Sequence, residues 1–227
     1  GNQVIPSSPP AIELLSPPIG STIRIQAGSP LNGAVRARIL SQALVDQSQP
    51  IANIGMFVPQ EFAGPDTITA QCDQNALSNG QGEVSCNLSG GSRLGSGQVK
   101  VCVGNCQAPG RELNFQIEVV AGPPTIFVKR QGDNQSGGPG TLTPLALRAA
   151  VTDAFGNRLA GVNVRVEVIQ GEATLEQVFN TTNSDGEFSF LVRFGSTPGE
   201  VRIRTSAGTA STTWTLTNNV TVGNFNR

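Results

Sequence analysis

The chain has 227 residues, a formal net charge of −1 at pH 7, and no histidine or tyrosine. The near-neutral charge gives no electrostatic attraction for nucleic acid or for an anionic membrane surface, and no apolar run is long enough to insert into a membrane. Without histidine, Ser/His and Cys/His catalytic pairs and histidine-ligated metal sites are excluded. The length suits two domains of ordinary size.

Residues 1–18 contain five prolines among small and polar residues, which predicts an extended lead-in with an edge strand at 11–15. Short runs of alternating apolar and polar residues follow, separated by turn residues. In the first half they predict strands at 22–25, 33–40, 51–58, 67–72, 83–88, 98–103 and 113–120. In the second half they predict strands at 125–130, 145–153, 163–169, 187–194, 200–205 and 211–217.

The alternation indicates sheets with one buried face. Its clearest case is the valine series at 162, 164, 166 and 168, which predicts that Asn163, Arg165 and Glu167 face water. No segment shows helical periodicity over three turns. About seven short strands per hundred residues are typical of a β-sandwich.

The chain also repeats itself once, with an offset of about a hundred residues. Five short blocks recur in the same order, which indicates a tandem pair of one β-rich unit. The matched blocks are 82–86 with 186–190, 97–101 with 199–203, 35–37 with 147–149, 51–54 with 159–162, and 115–117 with 214–216. The predicted organisation is a Pro-rich lead-in (1–18), two domains (19–120 and 121–219) and a tail or linker to a following domain (220–227).

Four cysteines lie in the first domain, and an even number there predicts disulfides and an oxidising compartment. Cys72 and Cys86 fall on the apolar faces of their strands, whereas Cys102 shares a face with Lys100 and is predicted to point outward. We therefore predict the pairs Cys72–Cys86 and Cys102–Cys106. A zinc site is the alternative, but the spacings lack the paired C-x2-C pattern.

A specific motif occurs in the second domain. Residues 151–168 read VTDAFGNRLAGVNVRVEV, and a turn at 182–187 reads TNSDGE. Together they resemble bacterial immunoglobulin-like repeats of the invasin/intimin type, over about residues 123–219. Residues 19–120 match that pattern less closely, and their fold is inferred from the internal repeat. The resemblance implies an all-β fold of two tandem immunoglobulin-like β-sandwich domains.

The resemblance also implies a function. Such repeats are extracellular and surface-exposed, and they act as stalks, spacers or adhesive modules without catalytic residues or cofactors. The expected partners are neighbouring domains of the same polypeptide and a surface glycan or protein receptor. Two alternatives remain open, namely a ligand-binding module and an accessory region of a secreted enzyme.

The motif contains candidate ligand residues. Asp153 with Asn157, and Asp185 with Glu187, could supply oxygen ligands to calcium near a domain end. The alternative is that Asp and Asn form the turns themselves by accepting hydrogen bonds from their own loops. Because no D-x-D-x-D-G array occurs, we favour the second interpretation and expect no metal site.

Two aromatic residues are further candidates. Trp214 would need to be exposed to serve as a sugar-binding platform, but it alternates with Leu216 and is therefore predicted to pack in the core. Phe155 lies in a tight turn, where a large apolar group is hard to bury. It is a candidate loop-tip contact, with folding back onto its own sandwich as the alternative.

Overall fold

The computed structural model describes residues 10–41, 49–59, 77–104 and 110–220, together with the backbone of residues 71–72. The chain forms two units, Gly1–Gly122 and Pro123–Arg227. The division falls inside the short connector that carries Pro123 and Pro124. The described residues contain no helix able to span a membrane.

Each unit contributes eight strands in the described residues. Those of unit 1 are β1 (Ala11–Ser16), β2 (Thr22–Gln26), β3 (Pro30–Leu40), β4 (Met56–Phe57), β5 (Gln71–Cys72), β6 (Glu83–Ser89), β7 (Gly95–Val103) and β8 (Glu112–Val120). Those of unit 2 are β9 (Ile126–Gln131), β10 (Ser136–Gly137), β11 (Leu147–Thr152), β12 (Arg165–Gln170), β13 (Ala173–Phe179), β14 (Glu187–Phe194), β15 (Gly199–Ala207) and β16 (Ala210–Asn218).

Both units have the same strand order. In unit 1 the sheets run β1-β3-β6-β5 and β2-β8-β7-β4, and in unit 2 they run β13-β14-β11-β9 and β10-β16-β15-β12. If the strands of each unit are lettered A, A′, B, C, D, E, F and G, both units read A-B-E-D and A′-G-F-C. This is the strand order of an immunoglobulin-like sandwich, with the extra strand A′ paired to G. The predicted fold class is confirmed.

The central pairing keeps one register in both units. Val35 lies opposite Cys86 and Ala37 opposite Val84. In unit 2, Leu147 lies opposite Phe190 and Ala149 opposite Phe188. The repeated sequence blocks therefore occupy equivalent positions on strands B and E.

One of the repeated blocks was aligned two residues out of register. The sequence blocks equate Val99 with Val201 and Phe115 with Trp214. In the structure Val99 lies opposite Phe115, but the residue opposite Trp214 is Ile203 and not Val201. Gly95, not Gly97, is therefore the counterpart of Gly199. A shift of two residues leaves every side chain on the same face of its strand, so the apolar pattern alone did not reveal it.

Two strands of unit 2 were missed by the sequence analysis, β10 and β13. Strand β10 has only two residues. Strand β13 contains an irregularity between Glu176 and Phe179, and Gln177 has a positive φ of 47°. This irregularity breaks the alternation and leaves Val178 and Phe179 exposed, so the segment lacks the period-two signal of a strand.

Three predicted strands differ from the observed ones. Of the strand predicted at 51–58, only Met56–Phe57 forms a ladder. Residues 67–70 of another lie outside the described residues. The valine series at 162–168 begins before its strand, since β12 starts at Arg165, and only Val164 is buried while Val166 and Val168 are partly covered.

The core of each unit lies between its two sheets. In unit 1 a single apolar cluster combines residues of one sheet, such as Val35 and Leu88, with residues of the other, such as Ile25 and Ile117. These side chains are 0–1% exposed. Burial of a Val, Leu or Ile side chain stabilises a fold by about 1.5–3 kcal/mol, so this alternation is the main favourable contribution to folding.

Unit 2 uses aromatic residues for the same purpose. A chain of ring contacts runs from Phe127 through Phe188 and Phe190 to Trp214, with centroid separations of 5.7, 6.3 and 5.9 Å. The last of these contacts joins strand β14 of one sheet to strand β16 of the other. Trp214 is fully buried, and its indole N–H donates to Thr205 Oγ1 at 3.2 Å. The predicted core position of Trp214 is confirmed.

A pair of glycine substitutions tests how tightly the turn before β14 packs. Gly186 and Gly156 both have positive φ, at 69° and 83°. A Cβ on Gly186 would lie 2.9 Å from Leu159 N and 3.2 Å from Val151 O, whereas a Cβ on Gly156 would meet nothing within 4 Å. We expect Gly156→Ala to cost roughly 1–2 kcal/mol from backbone strain alone, and Gly186→Ala to cost about 1–3 kcal/mol more. Urea denaturation measures both, and equal losses would show that the close packing around Gly186 is not limiting.

Candidate functional site

The candidate residues of unit 2 lie in two turns that pack against each other. The first turn, at 153–158, follows strand β11, and the second, at 183–186, precedes strand β14. Val151 N donates to Gly186 O at 2.8 Å, and Arg158 Nη1 donates to Asp185 O at 3.3 Å. The antiparallel pairing of β11 with β14 brings both turns to one end of the unit.

Asp153 organises the first turn. Its side chain is 1% exposed. Oδ1 accepts hydrogen bonds from the backbone N–H groups of Phe155 and Asn157, and Oδ2 accepts from Asn157 Nδ2, all at 2.9 Å. Asp153 N donates to Asn157 O at 3.0 Å. Both oxygens of the carboxylate therefore accept hydrogen bonds from groups of their own loop, which favours turn formation over calcium binding at this position.

The second turn repeats this arrangement with an asparagine. Asn183 Oδ1 accepts from the backbone N–H groups of Asp185 and Glu187, both at 2.9 Å. The equivalent turn of unit 1 is built by Asn79, whose Oδ1 accepts from Gln81 N at 2.9 Å and Glu83 N at 3.0 Å. One local device thus closes the turn before strand E in both units.

The carboxylates beside the second turn have different surroundings. Asp185 is exposed. Glu187 lies 3.7 Å from Arg130 and 3.7 Å from Arg148, so its charge is balanced on the outer face of the sheet. Among the described residues, no three His, Cys, Asp or Glu side chains come close enough together to hold a metal ion.

Phe155 remains half exposed, at 50%, in the turn that Asp153 braces. The hydrogen bond from its own backbone N–H to Asp153 holds the backbone in place while the ring stays accessible to solvent. The ring does not fold back completely onto its own sandwich, and its role as a contact residue stays a prediction.

At the opposite end of unit 2, side-chain hydrogen bonds hold the loop that follows strand β14. Glu172 Oε2 accepts from Ser196 Oγ at 3.0 Å and from Thr197 N and Oγ1 at 3.1 and 2.9 Å. These bonds, led by the one from the Thr197 hydroxyl, lower the pKa of Glu172. Asn218 Nδ2 donates to Gly195 O and Thr197 O, at 3.0 and 2.8 Å, from below the same loop.

A charged pair that no sequence motif marks joins strand β9 to strand β16. Lys129 Nζ lies 2.6 Å from Asp133 Oδ2, donates to Thr213 O, and sits 5.1 Å from the centroid of the Trp214 ring. Asp133 Oδ1 accepts from Thr215 N at 3.0 Å. No motif marked the pair, because the cross-strand carbonyl and the ring that fix it are some 80 residues away in sequence.

The surroundings of Asp133 set the state of its carboxyl group. Partial burial on its own would raise the pKa of Asp133, but the hydrogen bond and charge of Lys129 and the backbone N–H of Thr215 together lower it below its ordinary value. Asp133 therefore stabilises unit 2 in its ionised form.

The cysteines correct one prediction and leave another open. Cys86 is fully buried in the core cluster, as its strand position indicates. Cys102, predicted to point outward, is also 0% exposed. It lies outside the core cluster that holds Val101 and Val103. The strand face predicted for Cys102 is therefore correct, but its predicted exposure to solvent is wrong. Alternation fixes the direction of a side chain, but whether that face is covered depends on the rest of the unit.

Neither Cys86 nor Cys102 has a free thiol. Cys106 and the side chain of Cys72 lie outside the described residues. The pairing of the four cysteines therefore stays a prediction.

Comparisons with known proteins extend to structures only, since no family model and no curated protein matches the sequence. The D00-D0 domain of intimin is 14% identical, with 92% of this chain and 100% of that chain covered and a TM-score of 0.47. Invasin, described as a bacterial integrin-binding protein, is 14% identical over 93% of this chain and 41% of its own, with a TM-score of 0.49. The Escherichia coli adhesin FdeC is 16% identical over 91% and 62%, with a TM-score of 0.43.

The chain thus spans less than two thirds of the invasin and FdeC structures that it resembles. All three resemblances are at the level of fold. The assignment of immunoglobulin topology to both units rests on the strand order described above.

Substitution of Asp153 tests whether the first turn is self-contained. Asp153→Ala leaves the N–H groups of Phe155 and Asn157 without their acceptor, and we expect a loss of about 2–4 kcal/mol in the free energy of unfolding. Asp153→Asn keeps one acceptor oxygen and is expected to lose less. Thermal unfolding of the wild type should give the same melting temperature with calcium and with a chelator. A calcium-dependent rise that disappears in Asp153→Ala would instead make this turn a calcium site.

The Lys129–Asp133 pair predicts a specific acid sensitivity. Because the pKa of Asp133 is lowered in the folded state, its stabilising contribution is present above about pH 4 and is lost as the pH falls through the folded-state pKa. We expect Asp133→Asn to cost roughly 1–2 kcal/mol at pH 7 and progressively less below pH 4. Denaturant titrations at several pH values measure this difference.

Asp185→Asn is the matched control, because it replaces an exposed carboxylate of the same unit. It should change stability at pH 7 by less than about 0.5 kcal/mol. A pH-independent cost of Asp133→Asn would contradict the assigned role of the ion pair.

Proposed function

We propose that this chain is a non-catalytic pair of immunoglobulin-like modules from an exported bacterial surface protein, and that it acts outside the cell as a structural spacer or adhesion stalk. The observation that carries the proposal is the repeated topology, in which two successive units share the order A-B-E-D and A′-G-F-C. The resemblance of residues 151–168 to invasin/intimin-type repeats supports the same conclusion. In this role the modules hold a neighbouring domain of the same polypeptide away from the surface.

The chemistry of the described turns supports a non-catalytic role. Residue types that often act as bases, nucleophile partners or metal ligands serve the fold here. Asp153 braces its own turn, Glu172 closes a loop, and Glu187 is balanced by two arginines. The positions of these three carboxylates thus have structural explanations, and the proposal requires no cofactor.

The outer faces of the sheets also suit a spacer. Arg24 pairs with Glu118 at 2.7 Å, and Arg38 pairs with Glu83 at 2.7 Å, on two different sheets of unit 1. Exposed pairs of this kind contribute little to stability, but they keep a β-surface hydrophilic and discourage association of one sheet with another. A module with such faces suits a repeat whose role is mechanical and geometric.

The alternative is direct recognition of a surface glycan or protein receptor by loop residues. One observation favours it, namely that Phe155 is half exposed on a turn whose backbone is fixed by Asp153. A rigid loop with an accessible aromatic ring loses little conformational freedom on binding. If recognition occurs, we place it at the turns 153–158 and 183–186.

A binding screen distinguishes the two functions. The purified chain is tested against immobilised glycans and extracellular-matrix proteins, with and without calcium. The spacer function predicts no saturable binding across the panel. Saturable binding that Phe155→Ala abolishes, and that Leu145→Ala preserves, would replace it with recognition. Leu145 is a suitable control because its side chain is 54% exposed in another loop of the same unit.

A further inference from the structure

We propose that the two units resist mechanical tension unequally, and that unit 2 unfolds before unit 1 when the chain is pulled from its ends. The difference arises in strand A′, which has five residues in unit 1 and two in unit 2. The proposal concerns the folds themselves and stands apart from the question of whether a receptor is bound.

The direction of loading follows from the parallel pairing of A′ with G. In unit 1, β2 runs parallel to β8, so the start of β2 and the end of β8 lie at opposite ends of the pair. Tension that enters before β2 and leaves after β8 slides the two strands along each other. All hydrogen bonds of the ladder are then strained together rather than one after another.

In unit 1 this pair is long and anchored on both faces. Five residues of β2, Thr22–Gln26, pair with five of β8. Ile23 and Ile25 are 4% and 1% exposed and belong to the core cluster, so sliding must pull them out of the core. On the outer face, the side chain of Arg24 reaches Glu118 directly across the pair, at 2.7 Å.

In unit 2 the equivalent pair is short and has no apolar anchor. Only Ser136 and Gly137 of β10 pair with β16. Ser136 is exposed, and the inner side of Gly137 is filled by the ring of Phe194, which a Cβ there would approach to 2.6 Å. Strand β10 therefore contributes no side chain of its own to the core.

Backbone bonds beside β10 extend the contact without changing this conclusion. Asn134 N donates to Thr215 O at 2.9 Å, Thr217 N donates to Gln135 O at 3.0 Å, and Asn219 N donates to Gly137 O at 2.8 Å. Thr215 N also donates to Asp133 Oδ1 at 3.0 Å. Sliding in unit 2 breaks these bonds but removes no buried aliphatic side chain. Strands β1 and β9 are both six-residue edge strands paired antiparallel to strand B, and in unit 2 Lys129 of β9 also donates to Thr213 O of β16. Breaking that bond pulls no buried aliphatic side chain out of the core, so it does not replace the anchors that Ile23 and Ile25 give to unit 1.

The cysteines lie outside the pair that bears the load in unit 1. None of the four falls within β2 or β8, so a disulfide does not join the sliding strands. All four do lie in unit 1, which gives an experimental label for its unfolding. With the predicted pairs Cys72–Cys86 and Cys102–Cys106 formed, a reductant should lengthen the extension released by unit 1 and leave that of unit 2 unchanged.

The experiment is single-molecule force spectroscopy on the whole chain, held by its two ends at constant force. We expect two unfolding steps. The first should be the step whose length is the same with and without reductant, about 30 nm at roughly 3.3–3.6 Å per residue for unit 2. The second should be the step that lengthens on reduction.

Two conservative variants locate the resistance within unit 1. Ile25→Val shortens a buried anchor of β2, whereas Ile39→Val makes the same change on β3, where Ile39 is 0% exposed and outside the sliding pair. Equilibrium denaturation should show similar losses of stability for both. At constant force, Ile25→Val should raise the unfolding rate of unit 1 roughly two- to tenfold, and Ile39→Val should leave it close to that of the wild type.

Two results would overturn the proposal. One is that the step assigned to unit 1 by its response to reductant comes first. The other is that Ile39→Val accelerates the unfolding of unit 1 under force as much as Ile25→Val does. Neither result bears on receptor binding, so a failure here is distinct from a failure of the proposed function.

Discussion

The pairing of strand B with strand E is the interaction on which both units depend. Strands B and E are the central strands of the A-B-E-D sheet, and their inner residues face the opposite sheet across the core. Val35 opposite Cys86 in one unit corresponds to Leu147 opposite Phe190 in the other. Since a one-residue slip would expose the whole apolar face, burial fixes this register in both units although the side chains differ in size.

The fixed register of strands B and E also constrains the turns that precede strand E. Asn79 and Asn183 close them with the same hydrogen bonds, and Asp153 uses a related arrangement after strand B of unit 2. Short polar side chains suit these places because they accept hydrogen bonds from N–H groups that no sheet partner satisfies. Residues that look like ligands in the sequence are in this way explained by backbone geometry.

The same reasoning explains what could be predicted from the sequence. Strands with strict alternation, such as β6, β8, β14 and β16, were found because each buries one face. Strand β13 was missed because an irregularity at Gln177 breaks its period, and β10 was missed because two residues carry no pattern. The core position of Trp214 followed from alternation with Leu216, whereas the burial of Cys102 did not, since a strand position says nothing about what covers its outer face.

The two units therefore share their centre and differ at their edges. The B–E register and the Asx turns are common to both, while strand A′ places two isoleucines in the core of unit 1 and none in that of unit 2. Central pairing determines which fold forms, because its register sets which residues face the core. Terminal strands determine how that fold responds when its ends are pulled, because tension reaches them first. A tandem repeat can in this way keep one architecture while its edge strands give each copy a different resistance to force.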